Sequence, residues 1–429
     1  MLYALGVLAF AVGLLASIAL HEIGHLVPAK KFGVRVTQYM VGFGPTIFSR
    51  RRGETEYGLK AIPLGGYIRM IGMVPPRADG KRFRGPRRMG ELVEEFRATS
   101  RTEVTAADTN RQFYRLTPGK KMIVMLGGPS MNLLIFFVLT ILLYGLIGVR
   151  APTTTVGSVS NCVVSSTVSD QTCPAPTSSG YRKAPANGVL QPGDNITAIN
   201  GTPIKNWSDA VRVIEASPDK RITLSVRRDG KPVQLSITPV LNTKYTGTGT
   251  ETKQAGFIGI STTEAYQRLT PGQIRSVIWQ QLGLSVEALK QFPAKIGSLV
   301  GTVFQGKPRD QNGAVGVVGL GRIGGEIAES AQVAALDKVS MLLSLLASVN
   351  LLLFFFNLLP LLPLDGGHVA GALVEAIRRG IARLRKRPRL IFVDVAQLVP
   401  VMYVVASILI VFSVLVMYAD IVKPITLPN

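Results

Sequence analysis

Four stretches of this chain are apolar and long enough to cross a bilayer, and the polar sequence is arranged between them. Leu2 to Leu20 holds no charged residue. As a helix it rises roughly 28 Å at 1.5 Å per residue, close to the hydrocarbon thickness of a membrane. Met122–Val149, Val339–Leu364 and Ala396–Tyr418 are likewise uncharged. Between the first two runs the period changes. Residues 36–73 alternate in the manner of short strands, as in Tyr57–Ile62 and Gly66–Met70, with Pro63 and Gly65-Gly66 as punctuation. Gly90–Thr99 has the pattern of a short helix inside an otherwise charged insert. After the second run come strand and turn signals: the β-branched run Thr153–Val156, an amphipathic helix over Trp207–Ala216, and a hairpin of Ile222–Val226 with Val233–Ile237 around Asp229-Gly230. Leu269–Ile327 is amphipathic and then Gly-rich, and is expected to be a linker lying on the membrane surface.

Charge gives the pattern a direction. The chain has 429 residues, 48 Lys+Arg against 26 Asp+Glu, and a net charge of +22. The basic residues gather at 30–121 and 378–389, beside apolar spans, which the positive-inside rule explains better than a nucleic-acid-binding face. Both basic stretches are therefore expected in the cytoplasm, with residues 150–262 outside it. No basic segment precedes the first run and no small-residue cleavage site follows it, so it is expected to be a retained transmembrane helix rather than a signal peptide. Cys162 and Cys173 share one Ser/Thr-rich stretch. If that stretch is extracytoplasmic, a short-loop disulfide follows; no His or third Cys lies near enough to favour a metal site.

The chemistry sits at the lip of the first span, in His21-Glu22-Ile23-Gly24-His25. Residues four apart share a helix face, so two imidazoles can meet one metal ion, with Glu22 beside them to take a proton from a metal-bound water. The chain has three histidines, and two are here. The third span closes in Asn357-Leu358-Leu359-Pro360-Leu361-Leu362-Pro363-Leu364-Asp365-Gly366-Gly367-His368, a broken end with a carboxylate at the lip. On the expected orientation Asp365 falls on the same side as His21 and His25, which makes it the expected third ligand of a zinc site. Asn357, two helical turns earlier, has two readings: a hydrogen-bond donor to substrate or oxyanion, or a packing residue.

In Ala186–Pro203, Leu-Gln-Pro-Gly-Asp followed by Ile-Asn-Gly resembles a PDZ domain, a fold that binds extended peptides by strand addition. The H-E-I-G-H motif, the N-x-x-P-x-x-P-L-D-G motif and a PDZ domain between them resemble the site-2 protease family of intramembrane zinc metalloproteases, nearest to its RseP-like, single-PDZ actinobacterial form. Gly128, Pro129 and Asn132 match that family's G-P-x-x-N on the second span. The resemblance implies Zn2+ held by His21, His25 and Asp365, Glu22 as base, and structural parts for Pro360, Pro363 and Gly366. It also implies cleavage of a transmembrane segment in an anti-sigma-factor-like single-span protein, with the PDZ domain as filter or docking site.

The expected fold is thus an α-helical polytopic membrane protein of four transmembrane helices, with membrane-associated β-hairpins and an extracytoplasmic α+β PDZ domain. The expected parts are a first transmembrane helix over 1–26, a hairpin region over 27–73, a charged cytoplasmic insert over 74–118 and a second transmembrane helix over 119–149. The PDZ-like domain over 150–262, a linker over 263–338 and a third transmembrane helix over 339–364 follow. A basic cytoplasmic loop over 365–395, a fourth transmembrane helix over 396–418 and a tail over 419–429 complete the chain. The competing function is a membrane-anchored PDZ scaffold with a vestigial metal site; Glu22 argues against it, because a scaffold needs no base between two ligands.

Overall fold

The four long apolar runs are helical over most of their length, because a backbone without water can satisfy its N–H and C=O groups only within the segment itself. The structure, a computed structural model, describes residues 1–76, 87–101, 104–165, 172–178, 180–245, 252–310, 313–386 and 392–425. Parts of the expected insert (77–86, 102–103), of the expected PDZ-like domain (166–171, 179, 246–251), of the linker (311–312), of the basic loop (387–391) and of the tail (426–429) lie outside the described residues. In chain order the elements are α1 (Leu2–Lys31), β1 (Val36–Arg52), β2 (Thr55–Met70), α2 (Arg87–Arg101) and α3 (Pro118–Ile141). A π-helical stretch, Leu142–Ile147, prolongs α3. Then come β3 (Val149–Val159), β4 (Asn195–Ile199), β5 (Thr202–Pro203), α4 (Trp207–Glu215), β6 (Ile222–Arg228), β7 (Lys231–Ile237), β8 (Val240–Tyr245), β9 (Thr252–Phe257) and β10 (Ile260–Gln267). The chain closes with α5 (Pro271–Phe304), α6 (Val317–Glu329), α7 (Ala335–Asn357), α8 (Asp365–Leu384) and α9 (Val399–Val422). Leu2–Lys31, Pro118–Ile147, Ala335–Asn357 and Ala396–Val422 are long and apolar enough to cross a membrane. The chain divides into two compact units, residues 1–146 with 270–429, and residues 147–269.

In the first unit, glycine sets how closely helices approach. A Cβ on Gly24 of α1 would strike the backbone of Gly127 in α3, and one on Gly127 would strike Gly24 in return. Small residues facing each other in this way let two apolar helices touch backbone to backbone. α7 runs alongside α1 in the same direction, Gly13 facing Leu346 and Ser17 facing Asn350, whose amide donates to the Ser17 hydroxyl at 3.0 Å. The β1–β2 hairpin lies against the second half of α1, and Tyr39 donates to the Ala19 carbonyl at 2.8 Å. Burial first, and then the charge of Glu22, push the Tyr39 hydroxyl up to about 12, so it remains a donor at any working pH.

Three stretches differ from the sequence expectation. The expected linker holds two helices, the 34-residue α5 and the 13-residue α6. Its glycines are contact points: a Cβ on Gly6 would meet Gly324, and one on Gly325 would meet the Tyr3 ring. The third span ends as a helix at Asn357 rather than running to Leu364, so Asn357 and Asp365 stand on two elements and not two turns apart on one. The first part of the expected basic loop is the 20-residue helix α8. Its start is possible because Gly366 and Gly367 lack side chains that would strike the backbone of Leu358–Leu362. The insert helix α2 is tied down by Arg97, which donates to the Pro75 carbonyl and to Asp394, both at 2.9 Å.

The second unit is an antiparallel sheet in the order β10-β3-β4-β6-β7, with β5 beside β4 and a separate β8–β9 hairpin. Alternation explains it: Ile222, Leu224 and Val226 of β6 point to one face and join Val156, Ile196, Ile199, Ala210 and Ile214 in one core. α4 covers that core, its first turn capped by Asn206, which accepts from the Asp209 N–H at 3.0 Å. Asp194, buried in the turn before β4, accepts two hydrogen bonds at 2.7 Å from Arg228. Cys162 and Cys173 are disulfide-bonded, their Cα atoms 5.8 Å apart.

Candidate metal centre

Four residues of spacing bring His21 and His25 onto one face of α1, their Nε2 atoms 3.2 Å apart. The turn after α7 returns Asp365 to them from 340 residues further along the chain. Its Oδ2 lies 3.4 Å from His21 Nε2 and 3.3 Å from His25 Nε2. Among the described residues this is the one group of three or more His, Cys, Asp or Glu whose donor atoms all lie within 4.8 Å of each other. Donors about 2.0–2.1 Å from a tetrahedral ion stand about 3.3–3.4 Å apart, so two imidazoles and a carboxylate with these separations fit a zinc ion with one open position.

The surroundings hold one of the two imidazoles, that of His25, in the form a metal needs; the buried His21 Nδ1 has no partner among the described residues. His25 Nδ1–H donates to the Val124 carbonyl of α3 at 2.8 Å. A carbonyl can only accept, so the proton sits on Nδ1 and the Nε2 lone pair faces the cluster. Gly128, one turn further along α3, has no room for a side chain: a Cβ there would strike His25 Nε2 and the His21 ring. Pro129 follows inside the helix, where its missing N–H loosens the ladder beside the site. Asn132 is buried on α3, and its Oδ1 has no partner among the described residues.

Glu22 is buried on the turn between the two histidines. Gly66 of β2 makes the space for it, since a Cβ there would come within 3.0 Å of Glu22 Cγ. Glu22 is thus enclosed by the hairpin as well as by its own helix. Asn357 is the last residue of α7, half-buried, and its amide makes no hydrogen bond among the described residues. Pro360 and Pro363 lie in the turn between α7 and α8, the Leu362–Pro363 peptide being cis, and Gly366 is the second residue of α8. Cys162 and Cys173 belong to the other unit.

Sequence reasoning does not find three supports of this centre. The Val124 carbonyl has no side-chain signature. Asn350, buried mid-span and bonded to Ser17, was visible as a polar residue in an apolar run. Lys121 and Glu375 form a buried pair at 2.8 Å that clamps α8 to the start of α3; neither residue belongs to a motif, and 254 residues separate them.

The model of Peptidase family M50 matches residues 9–401. The chain belongs to that family. As an M50 peptidase it is similar along its whole length to Zinc metalloprotease Rip1 of Mycobacterium tuberculosis (strain ATCC 25618 / H37Rv), 32% identical with 100% of both chains covered. Rip1 of Mycolicibacterium smegmatis is 30% identical, again over 100% of both chains. Zinc metalloprotease RasP of Geobacillus kaustophilus is 26% identical over 93% of this chain and 96% of its own. The protein is therefore a zinc metalloprotease of the site-2 type, and the competing scaffold reading falls.

Proposed function

We propose that this M50 peptidase hydrolyses a peptide bond inside a transmembrane segment of a single-span protein, with His21, His25 and Asp365 holding the zinc and Glu22 as the base. The observation that carries the reading is the triangle of donor atoms, 3.2, 3.4 and 3.3 Å on its sides, assembled from two elements remote in sequence. Bound zinc supplies a Lewis acid that makes water acidic near neutral pH and polarises the peptide carbonyl. Glu22 takes the proton of the attacking water and later delivers it to the leaving amine, which the enclosure by Gly66 keeps from bulk solvent. Asn357, whose amide meets no partner among the described residues, donates to the substrate backbone or the developing oxyanion. Gly128, Pro129 and Asn132 seat α3 against the imidazoles, and Pro360, Pro363 and Gly366 shape the turn that returns Asp365.

A helical carbonyl is already bonded and shielded, so the substrate must be drawn out before attack. The β1–β2 hairpin beside Glu22 offers strand edges for that. In this reading the basic ends of the spans face the cytoplasm and residues 150–262 lie outside it as a PDZ-like docking or filtering domain. There β10, one edge of its sheet, is the strand open to an extended peptide. The substrate is of the anti-sigma-factor type.

The test compares the wild type with Glu22→Gln in detergent, measuring zinc by elemental analysis and cleavage of a single-span substrate. Zinc in both and cleavage only in the wild type is expected. Turnover by the variant would remove Glu22 as base, and a folded wild type without zinc would remove the metal centre.

A further inference from the structure

α8 carries more than Asp365. On a helix of 3.6 residues per turn, Leu373, Ile377, Ile381 and Leu384 share one face, opposite the side on which Ala372 and Glu375 are buried. That face is covered by nothing among the described residues: Ile377 is 54% exposed and Leu384 85%. Along the buried side Glu375 meets Lys121, at the start of the second apolar span, and α8 begins at Asp365, whose carboxylate reaches His25, the residue against Gly128 further into that span. The helix therefore runs alongside the span towards its basic end, its apolar face continuous in depth with the span's own surface. Arg378, Arg383, Arg385 and Lys386 are exposed near its far end, and among the described residues none of them meets a carboxylate. Lys120, at the start of α3, is exposed at the same end.

An apolar stripe with unneutralised cations at one end is the pattern of a helix that sinks its face among acyl chains and lifts its charges to the headgroups. We propose that α8 is a lipid-facing helix whose basic end binds the headgroups of anionic phospholipids, so that residues read from sequence as a cytoplasmic loop are part of the membrane contact. A water-filled setting would leave four large aliphatic side chains on one face in solvent, and a second protein would have to bring acidic groups to match the cations. An anionic lipid meets both demands at once. The inference does not depend on the protease reading. It has one mechanical consequence: the helix that begins at Asp365 is seated at a fixed depth.

The experiment uses the full chain in nanodiscs of phosphatidylcholine with phosphatidylglycerol. Both native cysteines are disulfide-bonded, so a nitroxide on Ile381→Cys reports this site alone. Greater accessibility to oxygen than to a water-soluble nickel chelate is expected; the reverse would overturn the lipid contact. Spin–spin broadening would assign the face to a second copy and overturn it also. Native mass spectrometry gives the second arm. The wild type should retain phosphatidylglycerol over phosphatidylcholine, and R378Q/R383Q/R385Q/K386Q should lower that preference by at least about ten-fold. Unchanged zinc content and elution volume would show that the variant is folded. A folded variant with the preference intact would overturn the headgroup assignment.

Discussion

Gly128 shows how much a single position can decide. Its missing side chain is the space in which two imidazoles stand, and Gly24 with Gly127 brings α3 close enough for Val124 to receive the His25 proton. Gly128→Ala should weaken zinc retention against a chelator by about 10–100-fold, as for other changes to the groups that orient metal-binding histidines. A variant that holds zinc as tightly as the wild type would mean that α3 does not press on the imidazoles. At this scale the sequence is legible where side chains carry the signal. His21, Glu22 and His25 declare themselves by i, i+4 spacing, and Asp365 by being a carboxylate at the lip of an uncharged span. The Val124 carbonyl is invisible because every residue has one, and only the approach of two helices selects it.

Elements were harder to foresee than residues, and the reason is physical. The four apolar helices and the hairpins follow from length and period, since nothing else satisfies a backbone in lipid or matches strict alternation. The helices α6 and α8 were missed because glycine and charge are loop signals in water. Here Gly324 and Gly325 face Gly6 and Tyr3 of α1, and Gly366 and Gly367 admit a turn, so the same residues serve close packing. The clamp of Glu375 on Lys121 and Arg379 gives a direct test of what holds α8. Glu375→Ala leaves two cations without their carboxylate and should cost about 3–5 kcal/mol, the usual effect of breaking a buried pair. The measurement is the thermal midpoint of the purified protein in detergent; an unchanged midpoint would mean the pair is dispensable.

At the scale of the molecule the two units answer to different physics. In the sheet unit, hydrogen bonds from Arg228 hold the Asp194 carboxyl below the usual carboxylate range. A depressed carboxylate stabilises the fold above its unfolded pKa, and that contribution disappears as pH falls through the folded value. Asp194→Asn should therefore lower the stability of this unit by about 2 kcal/mol at neutral pH and flatten its loss below about pH 4. Trp207 fluorescence during urea unfolding, with Trp279→Phe as background, reads this unit, and parallel acid profiles for the two proteins would refute the role. The other unit is built from both ends of the chain, residues 1–146 and 270–429, and this has a consequence for how the protein is made. During synthesis both histidines and the glutamate leave the ribosome more than 300 residues before Asp365. A nascent chain that has reached the end of the sheet unit holds an incomplete donor set, with the closing carboxylate still untranslated. On the proposed ligand set, a copy that stops before Asp365 should bind no zinc and cleave nothing; a chain truncated after residue 269 that holds zinc would refute that.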